Sequence, residues 1–350
     1  MRILPHDNET GKRQDPAPWA GETWREKKSD AEKIALRLSM LTEKSRTYRA
    51  RAERMAGCAH YIQTLSCPDG HHHRVTRANL CKDRLCPVCG WRRARALAAR
   101  TDAITRAVQG RYLLLTLTIR NPEDGQLGRA MRRMTTAFGR MMRAPRLRGV
   151  VGGAIRTVEV TRNRGTWHPH IHALVRVEES YFRSALYVHE NEWLQLWRDA
   201  YGDQTITQVD IRATDIGIPG AADRGAIAEV AKYVSKSADI MRLTLDQLHE
   251  LACAIKGLRL WSASGCLKIS EADVEAEMIH ACDEGEKITH CPECGAVLQK
   301  IDHEWHDENY RRCAYIVNWP EKKVGGAARE KIKKRRRGAD RRAPKREANR

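Results

Sequence analysis

The stretch Trp167-His168-Pro169-His170-Ile171-His172-Ala173-Leu174-Val175 constrains this chain more than any other. Its apolar second half ends in a β-branched residue and reads as a buried strand. Alternate side chains of a strand share a face, so His170 and His172 project together while Ile171 and Ala173 point the other way. Two imidazoles on one face of a rigid strand form a pincer for a divalent metal. A histidine-rich turn is the more ordinary alternative. Weighing against it is a tyrosine on a later segment that reads as a helix.

The chain has 350 residues, enough for one large domain or two smaller ones. A net charge of +19 points to a polyanionic partner. Residues 322–350 carry 14 basic and 3 acidic side chains, so the tail holds +11 of that charge and the body is basic as well. No apolar run reaches membrane-spanning length, and the first residues, with Asp7 and Glu9, do not read as a signal peptide. Eleven cysteines without a secretory signal point to metal sites in a reducing compartment. The composition predicts a cytoplasmic nucleic-acid-binding protein with no membrane association.

Residues 1–57 read as a loose proline-bearing segment followed by a basic helix, capped by Ser29 or Asp30 and running to about Met55, with Ile34, Leu38 and Leu41 inward. Residues 58–110 hold a cysteine module and a basic helix from Trp91 to Val108 that carries Arg92 and Arg93, candidate DNA contacts. Cys81, Cys86 and Cys89 have the tight spacing that tetrahedral zinc needs, and the fourth ligand is either Cys58 or Cys67. His71, His72 and His73 read as a solvated run.

Residues 111–240 read as an α+β unit. Strands are predicted at Tyr112–Ile119, Val150–Thr161, His170–Val177 and Thr207–Arg212. Helices are predicted at Leu127–Met142, from Ser180 (with Leu186, Trp193, Leu196 and Trp197 inward) and at Asp223–Ser237. The order βαββαβ is that of a ferredoxin-like, RRM-like antiparallel sheet, with strands one and three adjacent at its centre. Thr116 and Thr118 then lie beside the histidines. If Arg164-Gly165 is a two-residue turn, Glu159 pairs opposite His170 on the same face. Two imidazoles and a carboxylate with open positions suit Mg²⁺ or Mn²⁺. On the last helix Glu229 and Tyr233 stand four residues apart, on one face, with Lys236 and Lys232, a further candidate DNA contact, nearby. A helical tyrosine is usually amphipathic filler. Beside a metal-bearing sheet, its phenol can attack a phosphodiester whose charge the metal neutralises.

These motifs together resemble a known family. His170-Ile171-His172 looks like the HUH motif, Leu115-Thr116-Leu117-Thr118 like the strand motif before it, and Tyr233-Val234-Ser235-Lys236 like the Tyr-x-x-Lys motif. Cys81-Lys82-Asp83-Arg84-Leu85-Cys86-Pro87-Val88-Cys89 resembles the upstream cysteine cluster. The resemblance is to the single-tyrosine rolling-circle plasmid replication initiators and covers residues 58–240. It implies an HUH fold and nicking of one strand at a double-strand origin. It further implies a 5′-phosphotyrosine link through Tyr233, a free 3′-OH, and host helicase and polymerase partners. It also implies a glutamate one helical turn before the tyrosine, where Glu229 stands, and water activation by Glu229 is the expected route to termination.

The resemblance does not cover residues 241–320, a helical and zinc-knuckle region. Cys291-Pro292-Glu293-Cys294-Gly295 is one half of a second zinc site, and Cys282, Cys313, His303 and His306 are all within range for the other half. Cys253 and Cys266 read as buried thiols. Residues 321–350, including Lys331–Arg337, read as a disordered basic tail that binds phosphates. Two other readings compete. One is a single-tyrosine transposase or relaxase; the tyrosine's place after the histidines argues against the relaxase branch. The other is a non-catalytic zinc-bearing nucleic-acid-binding protein, disfavoured by leucines where stacking aromatics would sit.

Overall fold

The computed structural model describes residues 6–7, 13–14, 21–163, 165–218, 223–232, 235–268, 289–308 and 312–318, with side chains at 23–163, 165–218, 223–232, 235–268 and 289–305. Two short strands, β1 (His6–Asp7) and β2 (Arg13–Gln14), pair with each other. Helices α1 (Gly21–Ser39) and α2 (Thr47–Ala56) follow. Ala31, Ile34, Ala35 and Leu38 recur at helical spacing and are buried along α1. The single helix expected from Ser29 to Met55 is therefore two helices, and the first starts earlier. The break falls where Ser39 and Thr42 turn their hydroxyls onto the carbonyls of Leu36 and Ser39, at 2.7 and 2.6 Å, a local bond that competes with helix continuation.

Strands β3 (Tyr61–Ser66) and β4 (His73–Ala78) form a hairpin, and α3 (Pro87–Ala107) begins with a proline at its first turn, where the missing N–H costs nothing. Then comes the central unit: β5 (Arg111–Thr118), α4 (Leu127–Met141), β6 (Val151–Asn163), β7 (Thr166–Val177), α5 (Glu190–Tyr201) and β8 (Val209–Ala213). Short helices α6 (Arg224–Val230), α7 (Ser237–Arg242) and α8 (Leu245–Ala254) lead to β9 (Trp261–Gly265). Last are β10 (Gln299–Glu308) and β11 (Arg312–Asn318).

The larger sheet has the order β8-β5-β7-β6-β9, every pair antiparallel. The βαββαβ strands thus lie with the first and third adjacent, as predicted, and β9 adds a fifth strand at the β6 edge. Thr118 pairs with His170 and Thr116 with His172. The β6–β7 hairpin pairs Asn163 with Thr166 across a turn that holds Gly165 at φ +83°, and sets Glu159 opposite His170. Leu113, Leu115, Leu117, Val158, Ile171 and Val175 bury one face of this sheet against α4, α5 and α8. The methionines of α4, Met131, Met134 and Met141, are core side chains of that layer. On the opposite face Tyr112, Leu114, Ile155 and Leu174 pack beneath Ile104 of α3 and Ile227 and Val230 of α6. The rest of this second face is polar, and the histidines stand there.

Three expectations are corrected. The helix expected from Ser180 begins at Glu190, because His189 caps it and receives Glu192 on its own N–H at 2.9 Å. Leu186 lies in the loop before that cap and is 39% exposed rather than inward. The helix expected over Asp223–Ser237 ends at Val230 and resumes at Ser237. A continuing helix needs the Lys232 carbonyl for its own ladder, but Thr157 Oγ1 donates to that carbonyl at 3.3 Å, and Ser237 Oγ donates to Asp30 Oδ2 at 2.7 Å. Cys253 and Cys266, expected buried, are exposed. Cys253 is on the outer side of α8, and Cys266 follows the left-handed Gly265 that ends β9.

The smaller sheet has the order β11-β10-β3-β4. Strand β10 pairs with β3 from Gln299↔Ser66 to Glu304↔Tyr61, so strands from the two ends of the chain share one sheet. The expected tail at 321–350 lies outside the described residues, as do most of residues 1–20.

Candidate active site and metal centres

Pairing across β5, β7 and β6 brings Thr116, His170, His172 and Glu159 to the centre of one sheet face. Glu159 and His172 are buried, and His172 Nε2 lies 3.1 Å from Glu159 Oε2. On its other side His172 Nδ1 is 3.3 Å from Thr116 Oγ1 and 3.7 Å from Glu229 Oε2. The Lys232 ammonium stands 2.6 Å from Glu229 Oε2 and 3.6 Å from Glu159 Oε2. Glu159, His172, Glu229 and Lys232 therefore form one connected polar network, roofed by the turn that follows α6.

Burial and the neighbouring imidazoles of His168 and His172 push His170 down to about 4, so it is neutral and able to ligate at pH 7. Burial pushes the Glu159 carboxyl up, but the His172 bond and the Lys232 charge outweigh it and hold the group below its ordinary value. Burial pulls Lys232 down, and its two carboxylate partners more than compensate, so it stays an ammonium. Two imidazoles and an ionised carboxylate on one face are the donor chemistry of a Mg²⁺ or Mn²⁺ site. Of these, His172 and Glu159 are joined directly, while His170 Nε2 meets Thr161 Oγ1 at 3.3 Å; among the described residues only the two cysteine groups below bring three or more ligand atoms within 4.8 Å of one another.

Beside the network an open groove of about 420 Å³ is lined by Thr118, Arg120, Asn121, His168, Thr205 and Gln208, among others. His168 Nδ1 lies 2.6 Å from Asn121 Oδ1, which ties the loop after β5 to the start of β7. Tyr233 lies outside the described residues. Lys236, on the approach to α7, is exposed and lies outside the network; Lys232 is the lysine within it. Of the three candidate DNA contacts, Arg92 stacks over Trp24 at 5.1 Å, Arg93 donates to the carbonyls of Asp83 and Lys82, and Lys232 pairs with Glu229.

Cys58, Cys81, Cys86 and Cys89 come together at the base of the β3–β4 hairpin, with Sγ separations of 3.6 Å from Cys58 to Cys89 and 3.7 Å from Cys81 to Cys89. Of the two candidates for the fourth ligand, Cys58 is the one present. The bonds that Cys58, Cys81 and Cys86 direct at Cys89 hold that thiol far down, while Cys58 and Cys86 are pushed up. Such a set can hold a zinc ion.

A second group unites Cys67, His71, Cys291 and Cys294. Cys67 belongs here rather than to the first site, and His71, read from sequence as solvated, is a potential ligand. Of the four residues considered for the other half of this site, His303 faces away. Its Nε2 meets Thr64 Oγ1 at 2.9 Å, and burial pushes it down to about 4. Cys282 and the side chains of His306 and Cys313 lie outside the described residues.

No described helix is long and apolar enough to cross a membrane. No solved structure matches this chain at a significant level. Among curated proteins, a "Protein rep" from Streptococcus pneumoniae is 36% identical over 53% of this chain and 59% of its own length. A "Protein rep" from Lactiplantibacillus plantarum is 29% identical over 82% of this chain and 94% of its own length. One from Bacillus amyloliquefaciens is 30% identical over 76% and 84%. A family model described as "Replication protein" matches residues 72–316, which includes the polar network and reaches both cysteine groups, and the chain belongs to that replication protein family.

Proposed function

We propose that this protein initiates rolling-circle replication of a plasmid by nicking one strand at the double-strand origin. The observation that carries the reading is the convergence of His172 with Glu159, Glu229 and Lys232 on one sheet face, immediately before Tyr233 in the chain. The Tyr233 oxygen attacks the scissile phosphorus and the bond from phosphorus to the 3′ oxygen breaks. The proton lost by the phenol is matched by the one gained at the leaving oxygen, which becomes the 3′-OH primer. The 5′ phosphate stays on the tyrosine as a phosphodiester, so rejoining needs no external energy source.

His170, His172 and Glu159 would hold the Mg²⁺ or Mn²⁺, which supplies charge neutralisation at the scissile phosphate. Lys232 places a fixed positive charge beside the same carboxylates, and the exposed Lys236 is free to meet a phosphate from solvent. Glu229 is the base that lets water make the terminating cut. Its ion pair with Lys232 is what a purely structural glutamate would also make, so the two roles are separated by experiment below. The partners are origin DNA, single-stranded at the nick, and the host helicase and polymerase that extend the primer; the compartment is the cytoplasm.

The test is incubation of the full chain with labelled single-stranded origin DNA and Mn²⁺. A covalent protein–DNA band is expected from the wild type, and none from Tyr233→Phe, which removes one hydroxyl and leaves DNA binding intact. A covalent adduct in that variant would overturn the assignment of the nucleophile.

A further inference from the structure

We propose that Cys67, His71, Cys291 and Cys294 bind one zinc ion, and that this zinc closes a ribbon into which the whole five-stranded sheet is inserted. The inference is independent of the nicking chemistry. Two six-residue turns face each other, each closed by the same bond from the cysteine N–H to the carbonyl five residues on, and each holding a left-handed glycine at a different place. In Cys67-Pro68-Asp69-Gly70-His71, the Gly70 N–H bonds the Cys67 carbonyl at 3.0 Å with Gly70 at φ +79°. In Cys291-Pro292-Glu293-Cys294-Gly295, the Gly295 N–H bonds the Cys291 carbonyl at 2.9 Å with Gly295 at φ +71°. Each chain doubles back beyond its knuckle, through Cys67 N–H to the His72 carbonyl at 2.8 Å and Cys291 N–H to the Ala296 carbonyl at 2.7 Å.

The sheet brings the two knuckles together. Ser66 is the last residue of β3 and Gln299 the first of β10, and they are paired. Each knuckle therefore hangs from the same end of one antiparallel pair. Cys67 and Cys294, 227 positions apart in sequence, have their Sγ atoms 3.5 Å apart. That is far beyond a disulfide bond of about 2.05 Å. It is close to the sulfur separation of about 3.8 Å that Zn–S bonds of about 2.3 Å give in a tetrahedron. The first cysteine group, at the other end of the same hairpin, shows the same spacing at 3.6 and 3.7 Å. The β3–β4 hairpin is thus gripped at its base by four thiols and at its tip by three thiols and an imidazole.

The two grips differ in what they join. Ligands of the first site all lie between Cys58 and Cys89, so its metal organises one local stretch. Ligands of the second come half from before β5 and half from after β9, so its metal ties the entry of the central sheet to its exit. Residues 58–78 and 289–305 then form one discontinuous module rather than two.

Zinc content of the purified full chain, with Cys67→Ser, Cys294→Ser and His71→Cys variants, tests this. Two zinc ions per chain are expected in the wild type, one in each serine variant and two in His71→Cys. The cobalt-substituted wild type should show one four-sulfur and one three-sulfur, one-nitrogen spectrum, and His71→Cys should convert the second into the first without loss of metal. That readout does not require a ligand-deleted variant to fold. In Cys294→Ser, amide exchange should speed up in β10 while β5 and β7 stay protected. A wild type holding one zinc would overturn the proposal. So would a Cys67→Ser variant that keeps two while Cys294→Ser loses one, or a His71→Cys variant with an unchanged cobalt spectrum.

Discussion

The two sheets build their polar centres in opposite ways. In the four-stranded sheet, thiols are gathered at both ends of a hairpin into tight sets with every ligand atom within 4.8 Å of the others. In the five-stranded sheet, His172 is paired with Glu159 and with Glu229, a lysine lies between the two carboxylates, and His170 turns its Nε2 to Thr161 instead. A closed ligand set contributes folding energy and leaves nothing for a substrate, whereas an open set keeps positions for phosphate oxygens at some cost in rigidity. One sheet gathers its donors into closed sets; the other leaves them open.

Cys86→Ser should break that contrast most severely. It removes a buried ligand from a closed set, and a structural zinc can contribute on the order of 10 kcal/mol to folding. One zinc should be lost and the denaturation midpoint should fall sharply. An unchanged midpoint with two zinc ions retained would erase the distinction between the sheets.

Next in size, His170→Ala and His172→Ala should each slow strand cleavage about a thousandfold, or about 4 kcal/mol in barrier, with zinc content unchanged. Loss of a zinc ion from either variant would make the histidine face structural.

Acid should sharpen the comparison, because each sheet holds an imidazole that its surroundings keep neutral well below the ordinary range. His303 sits near 4 when folded against its ordinary 6.5, as does His170. Between those values the unfolded chain takes up a proton that the folded chain refuses. Stability from each is complete above about 6.5 and is lost as pH falls toward 4, by roughly 2–3 kcal/mol at pH 4.5. His303→Gln should remove that share of the loss, measured as the difference in urea midpoint between pH 7 and pH 4.5 for variant and wild type. Equal slopes would show that the ribbon's acid sensitivity lies elsewhere.

The smallest effect is the most specific. Glu229→Gln should nick within a few-fold of wild type yet release finished circles about a hundredfold more slowly, in the range of a lost general base. Normal release would leave Glu229 as the partner of Lys232 and nothing more.

Local alternation and turn chemistry made four strands of the five-stranded sheet legible in the sequence, but not its edge strand β9. The leucine–threonine alternation of β5, the Gly165 turn and the histidine spacing together give the observed Glu159–His170 pairing. The end of α6 was not legible, because it depends on Thr157 and Asp30, which are distant in sequence and leave no mark on the helical pattern of residues 223–237. Half of the second cysteine set was hidden for the same reason. Ligand spacing reveals a knuckle, but the opposite knuckle lay more than two hundred positions upstream, and a histidine run around it looks like any solvated loop.

The pairing of β3 with β10 also has a consequence in time. Thr64 and His303, which meet across that pair, are 239 positions apart. At a synthesis rate of about 5–20 residues per second, a growing chain needs roughly 10 to 50 s to deliver the second after the first. Throughout that interval the β3 edge has its backbone groups unmatched, and an open edge is a template for another strand, including one from a neighbouring nascent chain. On the ribosome, then, β10 is a late-arriving cover. A message truncated before Gln299 would yield a protein with a complete histidine face and an uncovered strand, prone to self-association.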